Sequence, residues 1–455
     1  MADDTMPEDS TRPTSFHSSR RQILAATGGA ALAGLAGCIG GNDGSDQLKD
    51  PIELYTWNLP FLEESINGWM DQFKKEYGDK YDGLEAEWTD RGPATGDVLS
   101  YFQSRLQSDD PVNIFDTQMT TYTRYAKDDI WVDLNQFADE EFLGKYYDKL
   151  IEVMTYDDKL VQMPFYMGSM ATYSRKKWFD ETDLDPPTTD NFYSTMDYLD
   201  AAEQLVENSG AKFGLTFIRY DWQLWPWFQS EGIDVLNDDG TKAAFNTNRT
   251  REILSRFREL TEKGVIPEVS WTGEWKPAAE QFGAGDTAMF YSSTSALRLV
   301  QNTGSDWVSE DSVVLGGAPR NGRYGGPMTM HGLGAVKPKT SEKAHEASFD
   351  FISVIVNKKW QKDFLRNTTV LVPHKQAVKE LQNDSQFVEE NPLLVEIYKL
   401  WDAVSADVWV PPLIEASSEM SQTIDKQFSA AALGEKSVDE AINTAEQQIN
   451  QALNG

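Results

Sequence analysis

Cysteine is almost missing from this chain: Cys38 is the only one among 455 residues. Intramolecular disulfides are thereby excluded, and packing alone must hold the fold. Histidine is scarce too. His17, His331, His345 and His374 lie far apart and form no H-E-x-x-H pair, so a metalloprotease centre has no ligands to draw on. No G-x-S-x-G turn and no G-x-x-x-x-G-K-[ST] loop occurs, which removes the nucleophile elbow and nucleotide hydrolysis. Gly332-Leu333-Gly334 lacks the third glycine of a dinucleotide fingerprint and reads as a strand closely packed by a neighbour. Positive charge is also short: 41 Lys and Arg stand against 73 Asp and Glu, a net charge of −32. That field argues against nucleic acid and anionic lipid as partners. The acidic residues are spread along the whole chain, which reads as solvation in high salt, where a Debye length of about 3 Å at 1 M screens self-repulsion. No apolar run approaches the roughly 20 residues of a membrane span, and there is no internal repeat.

The single cysteine has informative neighbours. Ser19-Arg20-Arg21-Gln22-Ile23-Leu24 resembles a twin-arginine export signal, and a short apolar run from Ile23 to Ala36 follows it. Leu35-Ala36-Gly37 before Cys38 resembles a lipobox. By that resemblance residues 1–37 are a signal peptide, Cys38 is the lipidated first residue of the mature protein, and residues 38–50 are a flexible tether.

Beyond Pro51 the patterning changes. Ile52 to Trp57 alternates like a strand; Ile66, Trp69, Met70, Phe73 and Tyr77 then share one helical face. A second helix carries Val98, Leu99, Phe102 and Leu106, and a short strand follows at Asn113 to Phe115. This alternation signals an α/β layer architecture. A turn at Asn237-Asp238-Asp239-Gly240 between two short apolar strands, and a helix capped at Thr247 or Asn248 with Ile253, Leu254, Phe257 and Leu260 inward, are expected next. Further helices run through Ala344 to Ile355 and Val438 to Leu453.

Tryptophan and tyrosine cluster near expected strand ends: Trp57; Tyr122 and Tyr125; Tyr220, Trp222, Trp225 and Trp227; Trp271 and Trp275. Flat rings beside amides, hydroxyls and carboxylates suit the C–H faces and hydroxyls of sugars. Three tryptophans in six residues cannot all face one way, so part of the 222–227 cluster is core and at least one ring is expected to reach a cleft.

The order of these elements resembles the extracellular solute-binding proteins of ABC importers, in the family that includes maltose-binding protein. The resemblance covers the chain from about Pro51 to its end. It rests on Tyr156-Asp157-Asp158-Lys159-Leu160-Val161-Gln162-Met163-Pro164 followed by Ala171-Thr172-Tyr173-Ser174-Arg175-Lys176, on Pro186-Pro187-Thr188, on Phe282-Gly283-Ala284-Gly285-Asp286-Thr287-Ala288-Met289, and on Gly434-Glu435-Lys436-Ser437-Val438-Asp439-Glu440-Ala441. It implies a periplasmic-binding-protein-like fold with two α/β lobes, three crossings and a central cleft that closes on its ligand. The implied N-lobe is 51–163 plus 324–369; the implied C-lobe is 164–323 plus 370–455. Crossings are expected at 164–168, 316–323 and 370–373.

Ligand contacts implied by the resemblance are Trp57, Asn58, Thr117, Tyr122, Tyr166, Gly168, Asp221, Trp222, Tyr291, Ser292, Ser293 and Gly326. Where the family stacks a tryptophan three residues after the position of Ser292, this chain has Ser295. Trp409-Val410-Pro411-Pro412 is expected at the rim. The implied function is capture of a sugar or oligosaccharide outside the cell by a lipid-anchored monomer, and delivery to membrane permease subunits, with no enzymatic activity, cofactor or metal. Open alternatives are another polar solute, namely a glycerol phosphodiester or a ferric ion held by Tyr166 with Tyr291; a secreted glycoside hydrolase, since paired carboxylates abound in so acidic a chain; and a sensory adaptor without a permease.

Overall fold

The computed structural model describes residues 51–56, 63–90, 97–108, 110–220, 222–304, 306–368 and 370–454. The expected signal peptide and tether, Cys38 included, lie outside the described residues, as do Trp57, Asn58 and Asp221.

Two sheets organise the chain. The first contains β1 (Ile52–Thr56), β2 (Ala86–Asp90), β3 (Ile114–Gln118), β4 (Met163–Gly168) and β9 (Thr329–Ala335); the second contains β5 (Met170–Arg175), β6 (Phe213–Phe217), β7 (Thr287–Ser293) and β8 (Val313–Gly317). Their strand orders are β2-β1-β3-β9-β4 and β8-β5-β7-β6. β1 runs parallel to β2 and β3, each joined to the next by a helix, and β9 returns antiparallel between β3 and β4. In the second sheet β6 and β7 are parallel, while β5 and β8 run against their neighbours.

Helices cover the faces because their apolar residues fall at helical spacing. Ile66, Trp69 and Phe73 of helix Glu63–Tyr77 are buried, and that helix packs on helix Glu342–Ile355. Helix Asn248–Glu262 starts where Thr247 accepts the Thr250 N–H and buries the expected Ile253, Leu254, Phe257 and Leu260. The turn at 237–240 also forms, with Gly240 at φ +66° donating its N–H to Asn237 O at 2.8 Å; its flanks join through a single bridge, Leu236 to Ala243, rather than through two strands. Gly332 and Gly334 sit where a Cβ would collide with Gln162 and with the Trp131 ring, the close strand packing expected of them.

The chain leaves the first sheet at Ser169 and returns to it between Gly317 and Thr329. β4 therefore reaches Gly168 within the first sheet, five residues past the expected lobe boundary at 163. The expectation for 370 onward also needs correction. Leu371 bridges Met167, His374 bridges Tyr146, and helix Lys375–Gln382 packs on helix Lys358–Thr368, all on the first sheet's side. Contact with the second sheet begins with helix Pro392–Val404, which lies against β8. Val370, Leu371 and Val372 are buried, and the Leu371 bridge to Met167 ties them to the first sheet at the place where a crossing between lobes was expected. Among the described residues no helix is long and apolar enough to cross a membrane.

Candidate functional site

In open α/β sheets ligands gather beyond the carboxyl ends of parallel strands, where the loops diverge. Here those ends are Thr56 and Gln118 of the first sheet and Phe217 and Ser293 of the second. The two sheets meet there. Ser169 joins them, its N–H donating to Thr294 Oγ1 at 3.3 Å and its carbonyl accepting the Thr294 N–H at 2.8 Å. Gly168 is needed at this seam for space: a Cβ would fall 2.8 Å from Thr329 Oγ1 and 3.2 Å from Thr294 Oγ1. Ser293 closes the same corner with an Oγ contact to Ser295 Oγ at 2.5 Å.

The first sheet contributes a polar network. Asp116 is fully buried on β3; it accepts from Thr56 Oγ1 at 2.6 Å and from His331 Nδ1 at 2.7 Å. The half-buried Tyr166 ring stacks on the His331 imidazole, with centroids 4.4 Å apart and planes 14° from parallel. The β9–β4 register shifts between His331 and Gly332. Such an irregularity re-aims a side chain, here toward Asp116.

The second lobe contributes Trp222. Its backbone is left-handed at φ +68°, an unusual state for a bulky residue, and its N–H donates to Ser421 Oγ at 3.0 Å. The indole is 2% exposed and meets the half-buried Trp409 edge to face at 5.6 Å, yet its Nε1–H is buried with no hydrogen-bond partner among the described residues. Trp409 is fixed by the backbone. Its N–H donates to Gly326 O at 3.0 Å, its carbonyl accepts the Met328 N–H at 2.7 Å, and Pro327 bridges it. Helix Ser417–Ala432 starts beside this point and touches both helix Met119–Ala126 of the first lobe and helix Asn248–Glu262 of the second. Lys127 and Glu415 pair at 2.9 Å across the same junction.

Of the expected contacts, Tyr166, Gly168, Trp222, Ser293 and Gly326 come to the seam, Gly326 with its carbonyl committed to Trp409. Four others do not. Tyr122 is buried on the inner side of helix Met119–Ala126; its hydroxyl donates to Val153 O at 2.5 Å, and burial pushes its pKa up. Thr117 is buried and accepts from Gln162 Nε2 at 2.7 Å. Tyr291 packs against Trp227 at 4.7 Å and is fully buried, with burial raising its phenol well above the ordinary range. Ser292 is fully buried beside it. Tyr122 is turned inward by its helix, whereas Thr117, Tyr291 and Ser292 are buried because both faces of β3 and β7 are covered. This also separates Tyr291 from any ferric site with Tyr166, and among the described residues no group of three His, Cys, Asp or Glu is placed to hold a metal.

The Asp116–His331 pair escaped the sequence reading. A carboxylate set inside the apolar run Ile114-Phe115-Asp116 was the available signal, since a buried charge needs a partner.

Comparison with known proteins follows the same lines. The family model described as bacterial extracellular solute-binding protein matches residues 68–395. No curated protein matches the sequence. Among solved structures, the maltose-bound MalE3 of T. maritima is 18% identical with a TM-score of 0.68, covering 88% of this chain and 99% of that one. The Listeria monocytogenes ABC substrate-binding protein Lmo0181, in complex with cycloalternan, is 18% identical with a TM-score of 0.69 over 89% of this chain and 99% of that one. UgpB of Mycobacterium tuberculosis, in complex with glycerophosphocholine, is 14% identical with a TM-score of 0.70 over 89% and 99%.

Proposed function

The chain belongs to the bacterial extracellular solute-binding protein family, and on that premise we propose that it captures a sugar or oligosaccharide outside the cell and delivers it to an ABC permease. One observation carries the sugar assignment: of the tryptophans whose buried indole N–H has no partner among the described residues, Trp222 alone is held in a strained, left-handed backbone state, and it lies at the seam beside the half-buried Trp409. An unmet buried donor costs about 1–3 kcal/mol, and a ligand hydroxyl supplies the missing acceptor while the rings cover its C–H face. Strain of this kind concentrates at functional sites. The lobes of this binder are taken as 51–168 with 329–382, and 170–317 with 392–455, which follows the sheet membership described above.

Trp222→Phe tests the assignment. It keeps a ring but removes the orphaned donor, so unfolding stability should change little while affinity for the sugar falls about tenfold or more. Unchanged affinity would sink the role given to Nε1.

The anchor is proposed on the residues around Cys38: a twin-arginine pair, a short apolar run and small residues before the thiol. Cys38→Ser should move the protein from the membrane fraction to the medium. Retention at the membrane would refute lipidation there.

A further inference from the structure

Arg175 ends β5, at the opposite end of that strand from Met170. Five strand steps of about 3.3 Å put it roughly 16 Å from the seam. Its guanidinium lies over the Trp307 ring at 4.3 Å and near the Trp178 ring at 5.3 Å. Both indoles are anchored to one loop: Trp178 Nε1 donates to Gly285 O at 3.2 Å, and Trp307 Nε1 to Gly283 O at 2.8 Å. Gly285, at φ +82°, leaves room for the guanidinium, since a Cβ there would fall 2.3 Å from Arg175 Nη1. This is a built clamp around a cation.

What the clamp holds is unused. Arg175 makes no hydrogen bond and no ion pair among the described residues, whereas Arg249, Arg251, Arg256, Arg258, Arg320 and Arg323 of the same lobe are all ion-paired. Arg175, Lys176, Lys177, Trp307 and Ser312 line a cavity of about 390 Å³, with the exposed Asp180, Glu181 and Asp311 also on its wall. Lys177 also stands over the Trp178 ring, at 4.1 Å. In a chain of net charge −32, three successive bases line this one cavity, matched there by three carboxylates.

We propose that this cavity is a second binding site, for a small molecule bearing one carboxylate or phosphate group. A guanidinium held over an indole face with no other partner keeps N–H donors for a bidentate oxyanion. Lys176 and Lys177 add charge, and the indoles bound the ligand's remaining body. The three acidic side chains on the wall disfavour a polyanion, which keeps the ligand to a single oxyanion group.

The test is calorimetric titration of the mature chain with inorganic phosphate and with acetate, at ionic strength held constant by potassium chloride. Saturable binding of at least one anion is expected. Arg175→Lys, which keeps the charge but loses the fork, should weaken it at least tenfold, while Arg323→Lys, away from the cavity, should leave it within twofold. No saturable binding in the parent, or equal losses in the two variants, overturns the proposal. Should Arg175→Lys fail to fold, Trp307→Phe is read in its place: it loses the anchor to Gly283, so a fall in anion affinity supports the site and no change overturns it. The readout needs no sugar, so it stands or falls separately from the cleft.

Discussion

Trp227→Ala is expected to lower the unfolding free energy by about 3–5 kcal/mol, the range for deleting a buried aromatic side chain. The ring is fully buried. It meets Tyr198 edge to face at 5.4 Å, Phe257 at 5.6 Å and Tyr291 at 4.7 Å, so its removal opens a cavity among rings that belong to the helices on both sides and to β7. Against a typical domain stability of about 5–15 kcal/mol that is a large fraction. Chemical denaturation of the parent and the variant reads it. A loss below about 1 kcal/mol would mean that the second lobe collapses around the gap, and that this ring is not central to its core.

Arg105→Ala should cost a similar amount, for an electrostatic reason. Glu53 is buried on β1, and Arg105 grips both of its oxygens, with Nη2 to Oε2 at 2.5 Å and Nη1 to Oε1 at 3.1 Å. Thr89 Oγ1 donates to Oε1 as well, at 2.8 Å. Burial works against the Arg105 charge, and the hydrogen bonds to Glu53 and Tyr101 more than offset it, holding the guanidinium above its ordinary range. Removing the arginine leaves a buried carboxylate with its principal counter-charge gone, a loss of about 3–5 kcal/mol. Adding Glu53→Gln to Arg105→Ala should restore part of the stability, because the uncompensated charge goes with it. No recovery in the double variant would assign the loss to packing of the arginine stem instead.

The two lobes differ in how much of them could be read from the chain. Periodicity located helix Asn248–Glu262 with its Thr247 cap, helix Glu342–Ile355 and the terminal helix Val438–Ala452, because an amphipathic face is a local property. Family resemblance implied two α/β lobes; the strand orders within their sheets were not read from the chain. Facing direction was harder. Tyr122 follows a strand end directly, like a cleft residue, but the helix beginning at Met119 turns it inward to Val153. Likewise Tyr291 and Ser292 belong to the ligand-facing strand in sequence, yet β7 is buried along its whole length. The tryptophan cluster was expected to send at least one ring to a cleft, but Trp222, Trp225 and Trp227 are all buried; Trp222 is the one that packs against the half-buried Trp409. Contacts between residues remote in sequence left little trace. Asp116 and His331 are 215 positions apart, and Arg105 and Glu53 are 52 apart, so neither pair is visible until the sheet assembles.

The most direct measurement of the account is thermal unfolding of the protein against a panel of malto-oligosaccharides, cyclic glucans and glycerophosphocholine, repeated with Trp222→Phe. A sugar that binds should stabilise the parent by about 2.7 kcal/mol at a hundredfold excess over its dissociation constant, and the variant should need about ten times more of it for the same shift. A panel in which no sugar shifts the transition, or in which glycerophosphocholine alone does so, would contradict the carbohydrate assignment.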